Sequence, residues 1–256
     1  MKWANQLGNR IEAEPKIDNA TCPLCKEKVI PKCGEIKIWH WAHKSLKDCD
    51  TWYEPESEWH LEWKNNFPKE CQEVIIDNHR ADVKIKEKVI ELQNSSISKK
   101  KIREREIFYG DMLWIINGEK FDKNLILFDK NNKDYLTFRW KNPPKSWWDA
   151  RKPIYVDMSY KSDRIKNEIK LYESGKKHYS PICETYYSPV HDMEFEKIID
   201  YIDDTENHIK LLNKRLELFS KEYLFLIRTI YKKIPCAGWG ILIEKKRFIE
   251  VMHENS

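Results

Sequence analysis

Two acidic residues, nine positions apart, lie in a pattern that would bring their carboxylates together. Asp82 and Glu91 flank the dipeptide Lys86-Glu87, and Val, Ile and Leu alternate with polar residues on both sides of it. This alternation predicts the two strands of a β-hairpin. If the turn is centred on Lys86-Glu87, Asp82 faces Glu91 on one side of the sheet. Facing carboxylates repel each other unless a cation lies between them, so this register predicts a divalent-metal site.

The register of this hairpin depends on its turn. Lys-Glu is not the Asn-Gly type of pair that two-residue turns prefer. A three-residue loop would shift the register by one and place the two acids on opposite faces of the sheet. In the two-residue register, Arg80 faces Gln93 one step further along the strands. Turn chemistry alone leaves both registers open.

A second group of ligand-type residues lies near the N-terminus. Cys22 and Cys25 form a Cys-x-x-Cys motif, which holds two thiolates at the spacing of a zinc knuckle. His43 and Cys49 are the preferred second pair of ligands. His40 with His43 is the alternative, but in an extended segment these two side chains point to opposite faces unless the chain turns. We therefore predict a structural Zn²⁺ site formed by Cys22, Cys25, His43 and Cys49.

Composition limits the class of protein without naming it. The 256 residues are enough for one or two domains, and the net charge of +4 permits nucleic-acid binding without requiring it. No segment is apolar for long enough to span a bilayer. The seven cysteines are an odd number, which favours a reducing compartment and a metal over a disulfide framework. These features predict a cytoplasmic protein.

Two helices are predicted to flank the hairpin. The first runs over residues 55–67 and ends before Pro68, with His60 and Lys64 on one face and Glu58 on another. By itself this segment is an ordinary amphipathic helix with a solvated charged side.

The second predicted helix follows the hairpin and is capped by Ser98. Five of the seven residues from 99 to 105 are basic, and Lys100, Lys101 and Arg105 are candidates for contact with phosphates. Charge runs are usually solvated faces, but the position of this one beside a candidate metal site favours a nucleic-acid surface.

The C-terminal third has a different pattern. From Ile198 to Ile230, apolar residues recur at alternating gaps of four and three with no Pro or Gly between them. This heptad pattern predicts a helix over about residues 193–233. Such a helix would dimerise in parallel, or would break near residues 203–207 and fold back. Further strands are expected at residues 113–116, 154–157 and 238–243.

Taken together, these motifs resemble the CoiA-like competence protein family, whose nuclease core belongs to the PD-(D/E)xK, or restriction-endonuclease-like, superfamily. The similarity covers roughly the first half of the chain. It consists of Cys22-x-x-Cys25, His40-x-Ala42-His43, Glu56-Ser57-Glu58-Trp59-His60 with Lys64, Arg80-Ala81-Asp82-Val83, Ile90-Glu91-Leu92-Gln93-x-Ser95, and Arg105-x-x-x-Tyr109.

The resemblance implies an α/β fold with a mixed sheet flanked by helices, a small N-terminal zinc-binding module and a long-helix C-terminal region. It also implies that Glu58, Asp82 and Glu91 hold catalytic Mg²⁺ or Mn²⁺. Gln93 stands where the superfamily usually has lysine. The CoiA-like family that the chain resembles also has glutamine at this position. Lys64 or His60 would then supply the missing function beside it.

These expectations divide the chain into four parts: a zinc module (1–52), a nuclease core (53–120), an extension of unknown role (121–192) and a helical region (193–256). The predicted function is a Mg²⁺-dependent DNA endonuclease or nickase that acts in DNA processing, recombination or defence. Its expected partners are DNA, a second copy bound through the 198–230 helix, and other DNA-processing or defence proteins. The alternatives are a catalytically inactive DNA-binding or recombination accessory protein and, third, a pure interaction protein.

Overall fold

The structure is a computed structural model in which the chain divides into two compact units. It describes residues 1–44, 49–121, 124–129, 134–141, 145–174, 209–210, 212–213, 216–217, 221–231 and 236–254, without the side chains of Asp129 and Ser162. The first unit comprises Met1–Ile115, Asp149–Lys152 and Met252–Ser256, and the second comprises Ile116–Trp148 and Pro153–Val251. Within the described residues, no helix has the length and apolar character needed to cross a membrane.

The first unit begins with two small antiparallel hairpins. Strand β1 (Trp3–Gln6) pairs with β2 (Asn9–Glu12), and β3 (Val29–Lys32) pairs with β4 (His40–His43). Side chains of the hairpins and of the segments between them form one buried core, which Cys25, Cys33 and Cys49 pack against: Met1, Ala4, Ala13, Ala20, Cys22, Val29 and Trp41.

The remainder of the first unit is built from helices and longer strands. In chain order these are α1 (Glu58–Asn65), β5 (Gln72–Ile76), β6 (His79–Ile85), β7 (Lys88–Gln93), α2 (Lys99–Tyr109) and β8 (Met112–Asn117). The strands are ordered β5-β6-β7-β8 in the sheet. Helix α2 joins the neighbours β7 and β8, which is the kind of crossover that parallel strands require.

Side-chain caps fix where the two helices begin. The Ser57 hydroxyl accepts a hydrogen bond from the backbone N–H of His60, so α1 begins at Glu58, three residues after the predicted Pro55. The Ser98 hydroxyl accepts a bond from the N–H of Lys101 and caps α2, as the sequence predicted.

The two-residue register of the hairpin is confirmed. Val83 pairs with Ile90, and Ile85 pairs with Lys88, so the turn consists of Lys86 and Glu87. Lys86 adopts a φ of 48°, a left-handed conformation that lets a turn without glycine close this hairpin. Along β6 the side chains alternate between buried and half-buried, which matches the predicted period of two.

The second unit contains five described strands and two helices. They are β9 (Leu125–Asp129), β10 (Leu136–Trp140), β11 (Ile154–Asp157), α3 (Tyr160–Glu173), β12 (Tyr223–Tyr231), β13 (Cys236–Glu244) and α4 (Lys245–Glu254). The strands are ordered β11-β12-β13-β10-β9, and each neighbouring pair is antiparallel. The strands expected at 113–116, 154–157 and 238–243 are confirmed, and the chain has a mixed α/β fold.

The predicted heptad helix is wrong over its last part, because Tyr223–Tyr231 is strand β12. This strand pairs with β11 on one side and β13 on the other, so apolar residues are buried on both of its faces. A run of consecutive apolar residues also contains residues at gaps of four and three, so the heptad pattern predicted a helix where the chain forms a strand. Residues 193–208 of the predicted helix lie outside the described residues.

The central seam residues of that predicted helix are covered within the chain. Leu212 is 1% exposed and lies in one cluster with Ile165, Ile169 and Tyr172 of α3. Ile209 and Leu216, which the heptad pattern also placed on a dimer seam, pack against this cluster. These three side chains are therefore packed within the chain, and the homodimer through residues 198–230 stays a prediction.

Candidate functional site

The four predicted zinc ligands converge at the N-terminal module. One ligand atom from each of Cys22, Cys25, His43 and Cys49 lies within 4.8 Å of the other three. The Sγ atoms of Cys22 and Cys49 are 3.8 Å apart, and Cys25 Sγ lies 3.2 Å from His43 Nε2. Three thiols and one imidazole in this arrangement match the donors of a closed structural zinc site. This group could bind zinc.

His40, the alternative ligand, is directed elsewhere. It begins β4 while His43 ends that strand, and its Nδ1 lies 2.8 Å from the carbonyl oxygen of Ile38. Burial, together with the neighbouring thiols, raises the pKa of Cys49 to about 12. Burial also lowers the pKa of His43. Without a metal these groups therefore stay neutral, and zinc would bind with release of thiol protons.

Asp50 connects the cysteine cluster to strand β6. It follows the ligand Cys49 and is 6% exposed. One carboxylate oxygen lies 2.8 Å from His79 Nδ1, and the other accepts a hydrogen bond of 2.9 Å from the backbone N–H of Arg80. The first oxygen also accepts a 2.8 Å bond from the N–H of Trp52. Two of these contacts fix the start of the strand that carries Asp82.

Beyond Asp50 lies a narrow cavity whose lining is rich in charged side chains. The residues that line it are Asp50, Trp52, Tyr53, Glu54, Glu56, His60, Lys64, Arg80, Asp82, Glu91, Leu92 and Arg105. They include two more carboxylates than lysine and arginine side chains. This excess of carboxylates favours a cation in the cavity.

Lys64 is the central cation of this cavity. It lies on α1, is 3% exposed, and its Nζ contacts three carboxylates. The distances are 2.9 Å to Glu56 Oε1, 3.1 Å to Glu73 Oε1 and 3.2 Å to Asp82 Oδ1. Burial opposes charge on Lys64, Glu73 and Asp82, but the attraction between opposite charges prevails, which raises the pKa of Lys64 and lowers the pKa values of Glu73 and Asp82.

Asp82 and Glu91 lie side by side, as the hairpin register requires. The Asp82 carboxylate accepts a 3.0 Å hydrogen bond from the N–H of Leu92, and Glu91 Oε1 accepts a 3.4 Å bond from the N–H of Asp82. Arg105 donates to Glu91 Oε2 at 2.7 Å. Burial, and next the adjacent Asp82 carboxylate, raise the pKa of Glu91 to about 7 in spite of Arg105.

Gln93 and Glu54 meet at the edge of this pair. Gln93 Nε2 donates to Glu54 Oε2 at 3.0 Å and to the Ser95 carbonyl at 3.1 Å. The amide oxygen Oε1 of Gln93 and the second carboxylate oxygen of Glu54 are buried without a hydrogen-bond partner among the described residues. Unpaired buried acceptors are costly, so these two atoms are available to a ligand that donates protons or carries positive charge.

His60 extends the same group of polar side chains from α1. Its Nδ1 lies 2.8 Å from the Ser57 hydroxyl, and its Nε2 lies 3.8 Å from Glu54 Oε2. Burial lowers the pKa of His60, but the nearby carboxylates of Glu54 and Asp82 outweigh it, so the pKa is raised. Protonated His60 would therefore be stabilised beside these carboxylates.

The structure thus brings together Asp82, Glu91, Gln93, His60 and Lys64, all predicted as catalytic from the sequence. It does not bring Glu58 to them, because that side chain is exposed at the first turn of α1 and lies outside the cavity lining.

Two carboxylates that sequence reasoning missed, Glu54 and Glu56, stand in the cavity instead. Their signal was weak, since they precede the Ser57 cap in a segment with no periodicity. Only the close repeat of acidic residues before the helix marked them.

The predicted phosphate-binding residues have separate positions. Lys100 and Lys101 are exposed on α2. Arg105, on the same helix, is 5% exposed and is held by Glu91 and by the Trp52 carbonyl. It therefore serves the cavity, and the prediction that Arg105 lies on a DNA surface does not match its burial.

The fit of a divalent metal to the acidic cavity differs from that of zinc to the cysteine cluster. Among the described residues, the carboxylates of the cavity do not form a group of three ligands as close as the cysteine–histidine cluster. Mg²⁺ does not require one, because it keeps several waters and commonly binds through one or two carboxylates. Asp82 and Glu91 are oxygen donors of the right type, and the excess negative charge favours a cation there.

Comparison with known proteins identifies one similarity. The family model described as "Competence protein CoiA, N-terminal domain" matches residues 8–51. This segment contains all four residues of the cysteine–histidine cluster and supports a relationship to CoiA-like proteins. No curated protein gives a significant match to the chain, and no solved structure does.

We expect the purified protein to contain one zinc ion per chain, and expect Cys49→Ser to lose it, since this change removes one of four converging ligands. Cys33→Ser is the matched control, because Cys33 lies outside the ligand cluster. Elemental analysis of the purified variants measures the metal content. Zinc retained by Cys49→Ser, or lost equally from Cys33→Ser, would contradict the assignment.

Replacement of Lys64 by methionine should lower the free energy of unfolding by about 3–5 kcal/mol at pH 7, because it leaves buried carboxylates without their cation. Glu73 and Asp82 have lowered pKa values in the wild type, so their contribution to stability is complete only above about pH 5 and is lost as the pH falls further. In the variant their pKa values rise.

The deficit of Lys64→Met should consequently shrink between pH 7 and pH 5, as the carboxyls take up protons. Urea unfolding at both pH values measures it. Lys101→Met, at an exposed position of α2, is the control and should change stability little. An equal deficit at both pH values would show that lost packing, not charge, accounts for the effect.

Proposed function

We propose that the first unit is a metal-dependent deoxyribonuclease core of the restriction-endonuclease-like type, hydrolysing DNA phosphodiester bonds as an endonuclease or nickase. The observation that carries the proposal is the contact of Lys64 with Asp82 beside the facing carboxylate of Glu91. The resemblance predicted this constellation of two strand acids with a lysine supplied from the helix. The match of residues 8–51 to a competence-protein domain supports a setting in DNA processing.

Asp82 and Glu91 are the residues that would hold the catalytic Mg²⁺ or Mn²⁺, with Glu54 as the third acid in place of Glu58. An ion at this position would lower the pKa of a bound water and offset negative charge on the phosphate. The narrow cavity limits access of bulk water, which strengthens each of its electrostatic contacts.

Each remaining side chain has a role that follows from its contacts. Lys64 keeps Asp82 ionised and places a positive charge where a phosphate oxygen would approach. The free oxygen of Gln93 can accept a hydrogen bond from a water molecule, and its amide orients Glu54. His60, held by Ser57, can give a proton to the leaving oxygen.

Lys100 and Lys101, exposed on α2 after strand β7, would contact the phosphates that flank the scissile bond. This contact is electrostatic and independent of sequence, so affinity for DNA should decrease as salt concentration rises. The zinc module would act structurally, because Asp50 ties its last ligand to the start of β6.

One observation favours a second candidate function, a DNA-binding accessory protein without catalysis. Arg105 already neutralises Glu91, and a metal would have to compete with this buried guanidinium. A site that keeps the Arg105–Glu91 pair would retain the fold and the DNA surface without holding a metal. Such a protein would bind DNA in a salt-dependent way and would not cut it.

The two candidates are separated by a cleavage assay with supercoiled, linear and single-stranded DNA in the presence of Mg²⁺ or Mn²⁺. We expect cleavage by the wild type, and a loss of at least a hundredfold in Asp82→Asn and Glu91→Gln, because each removes a metal ligand. Glu87→Gln, which changes an exposed acid in the turn of the same hairpin, should cut normally.

Two further variants identify the third acid. We expect Glu54→Gln to lose activity and Glu58→Gln to keep it. If Asp82→Asn and Glu91→Gln cut DNA as well as the wild type, the nuclease proposal is wrong. If no variant and no wild-type protein cuts DNA, but all bind it, the accessory function is the correct one.

A further inference from the structure

One face of the sheet in the second unit carries aromatic and basic side chains that the proposed nuclease site does not use. Cross-strand pairing defines this face. Thr137 of β10 lies opposite Phe128 of β9 and Trp239 of β13, and Trp239 also lies opposite Thr229 of β12. Because directly facing residues share a side of the sheet, these four side chains form one row.

A second row lies two residues along the strands on the same face. Arg139 of β10 faces Ile126 of β9 and Ala237 of β13, and Ala237 faces Tyr231 of β12. Tyr135, just before β10, contacts Trp239 with ring centroids 5.6 Å apart. We call the two rows and Tyr135 the aromatic platform.

The opposite face of the same strands is ordinary protein core. Phe138 is 1% exposed and Phe225 is fully buried. Gly238 and Gly240 face these two rings, and a Cβ on either glycine would lie within 2.8 Å of ring atoms. The buried hydrophobic core of these strands therefore lies on that face, and the rings of the platform lie on the other.

The rings of the platform remain accessible. Tyr231 is 52% exposed, while Phe128, Tyr135 and Trp239 are partly exposed. Helix α4 reaches the other end of this face, where Phe248 packs on Tyr155 with ring centroids 5.0 Å apart.

The charge of the platform is of one sign. None of its described side chains is acidic; they are Ile126, Phe128, Tyr135, Thr137, Arg139, Thr229, Tyr231, Ala237 and Trp239. Arg139 is exposed, with its guanidinium 5.8 Å from the Phe128 ring. Arg228, the extra residue of a bulge in β12, is also exposed. A ligand with flat apolar groups and negative charge would complement this surface.

We propose that the aromatic platform binds single-stranded nucleic acid by stacking unpaired bases on its rings. Neighbouring strands are about 4.8 Å apart, so Phe128 and Trp239, on strands separated by one, lie about 10 Å from each other. That separation suits bases spread out one to a ring, with Arg139 and Arg228 beside the phosphates. Bases within a duplex are stacked on each other and do not offer their faces. This binding does not depend on cleavage by the first unit.

The test is the affinity of the full-length chain for a fluorescein-labelled (dT)₁₅, the matching rU oligonucleotide and a DNA hairpin duplex, without added divalent ions. We expect both single strands to bind more tightly than the duplex, and expect binding to quench tryptophan fluorescence. Trp239→Ala should weaken single-strand binding roughly tenfold, as the loss of a stacked base would. Trp239→Phe should retain most of the affinity, because it keeps an aromatic ring and also guards against misfolding.

Two further variants complete the test. Arg139→Gln should make the slope of log affinity against log salt concentration shallower, by the amount expected for the loss of about one phosphate contact. Trp39→Ala is the matched control, since Trp39 is an exposed tryptophan that belongs to the N-terminal module, and this variant should bind normally.

Single-strand binding that Trp239→Ala leaves unchanged would overturn the proposal, and so would equal affinity for the duplex. Loss of self-association in Trp239→Ala, with no effect on nucleic acid, would instead identify the platform as a contact between copies of this chain and would also overturn it. A preference between (dT)₁₅ and rU tells DNA from RNA as the ligand.

Discussion

The contact of the Lys64 ammonium group with three carboxylates is the interaction on which the geometry of the first unit depends. Lys64 comes from α1, Glu73 from β5 and Asp82 from β6, so one cation joins a helix to two strands. Glu56 adds the segment before the helix. A buried amine without partners would lose its proton, and buried carboxylates without a cation would take one up. Lys64, Glu73 and Asp82 therefore hold each other charged.

This mutual dependence gives the cavity its chemical character. Asp82 remains ionised because Lys64 and His60 lie beside it, whereas Glu91, more deeply buried and next to Asp82, takes up a proton near pH 7. Two adjacent carboxyl groups with separated pKa values are typical of sites that bind cations or transfer protons. Asp50 connects this cavity to the cysteine cluster. It follows Cys49 in the chain, and its carboxylate contacts His79 and the backbone N–H of Arg80 at the start of β6.

Features set by local rules could be predicted from the sequence. Strand alternation predicted the hairpin and one of its two possible registers, and Ser98 marked the start of α2. Cys-x-x-Cys with a later His and Cys identified the cluster that could bind zinc. Features set by long-range packing could not. Glu54 and Glu56 lie in a segment without periodicity, so nothing local directs them to the cavity.

Two predictions made from local sequence failed for the same physical reason. Arg105 was placed on a basic surface because its neighbours in sequence are basic, but its guanidinium is buried and donates a hydrogen bond to the buried carboxylate of Glu91. The run from Tyr223 to Tyr231 matched a heptad because a central strand buries apolar residues on both faces. In each case a partner distant in sequence, invisible to a local pattern, decides the structure.

The central claim, that Asp82 and Glu91 form a divalent-cation site, is tested most directly by titrating the zinc-loaded protein with Mn²⁺ and measuring bound ion by electron paramagnetic resonance at pH 6 and pH 8. Because the pKa of Glu91 is about 7, the account predicts one Mn²⁺ per chain, bound more tightly at pH 8, and no such binding in Asp82→Asn. Absence of Mn²⁺ binding at both pH values, or binding that Asp82→Asn leaves unchanged, would contradict it.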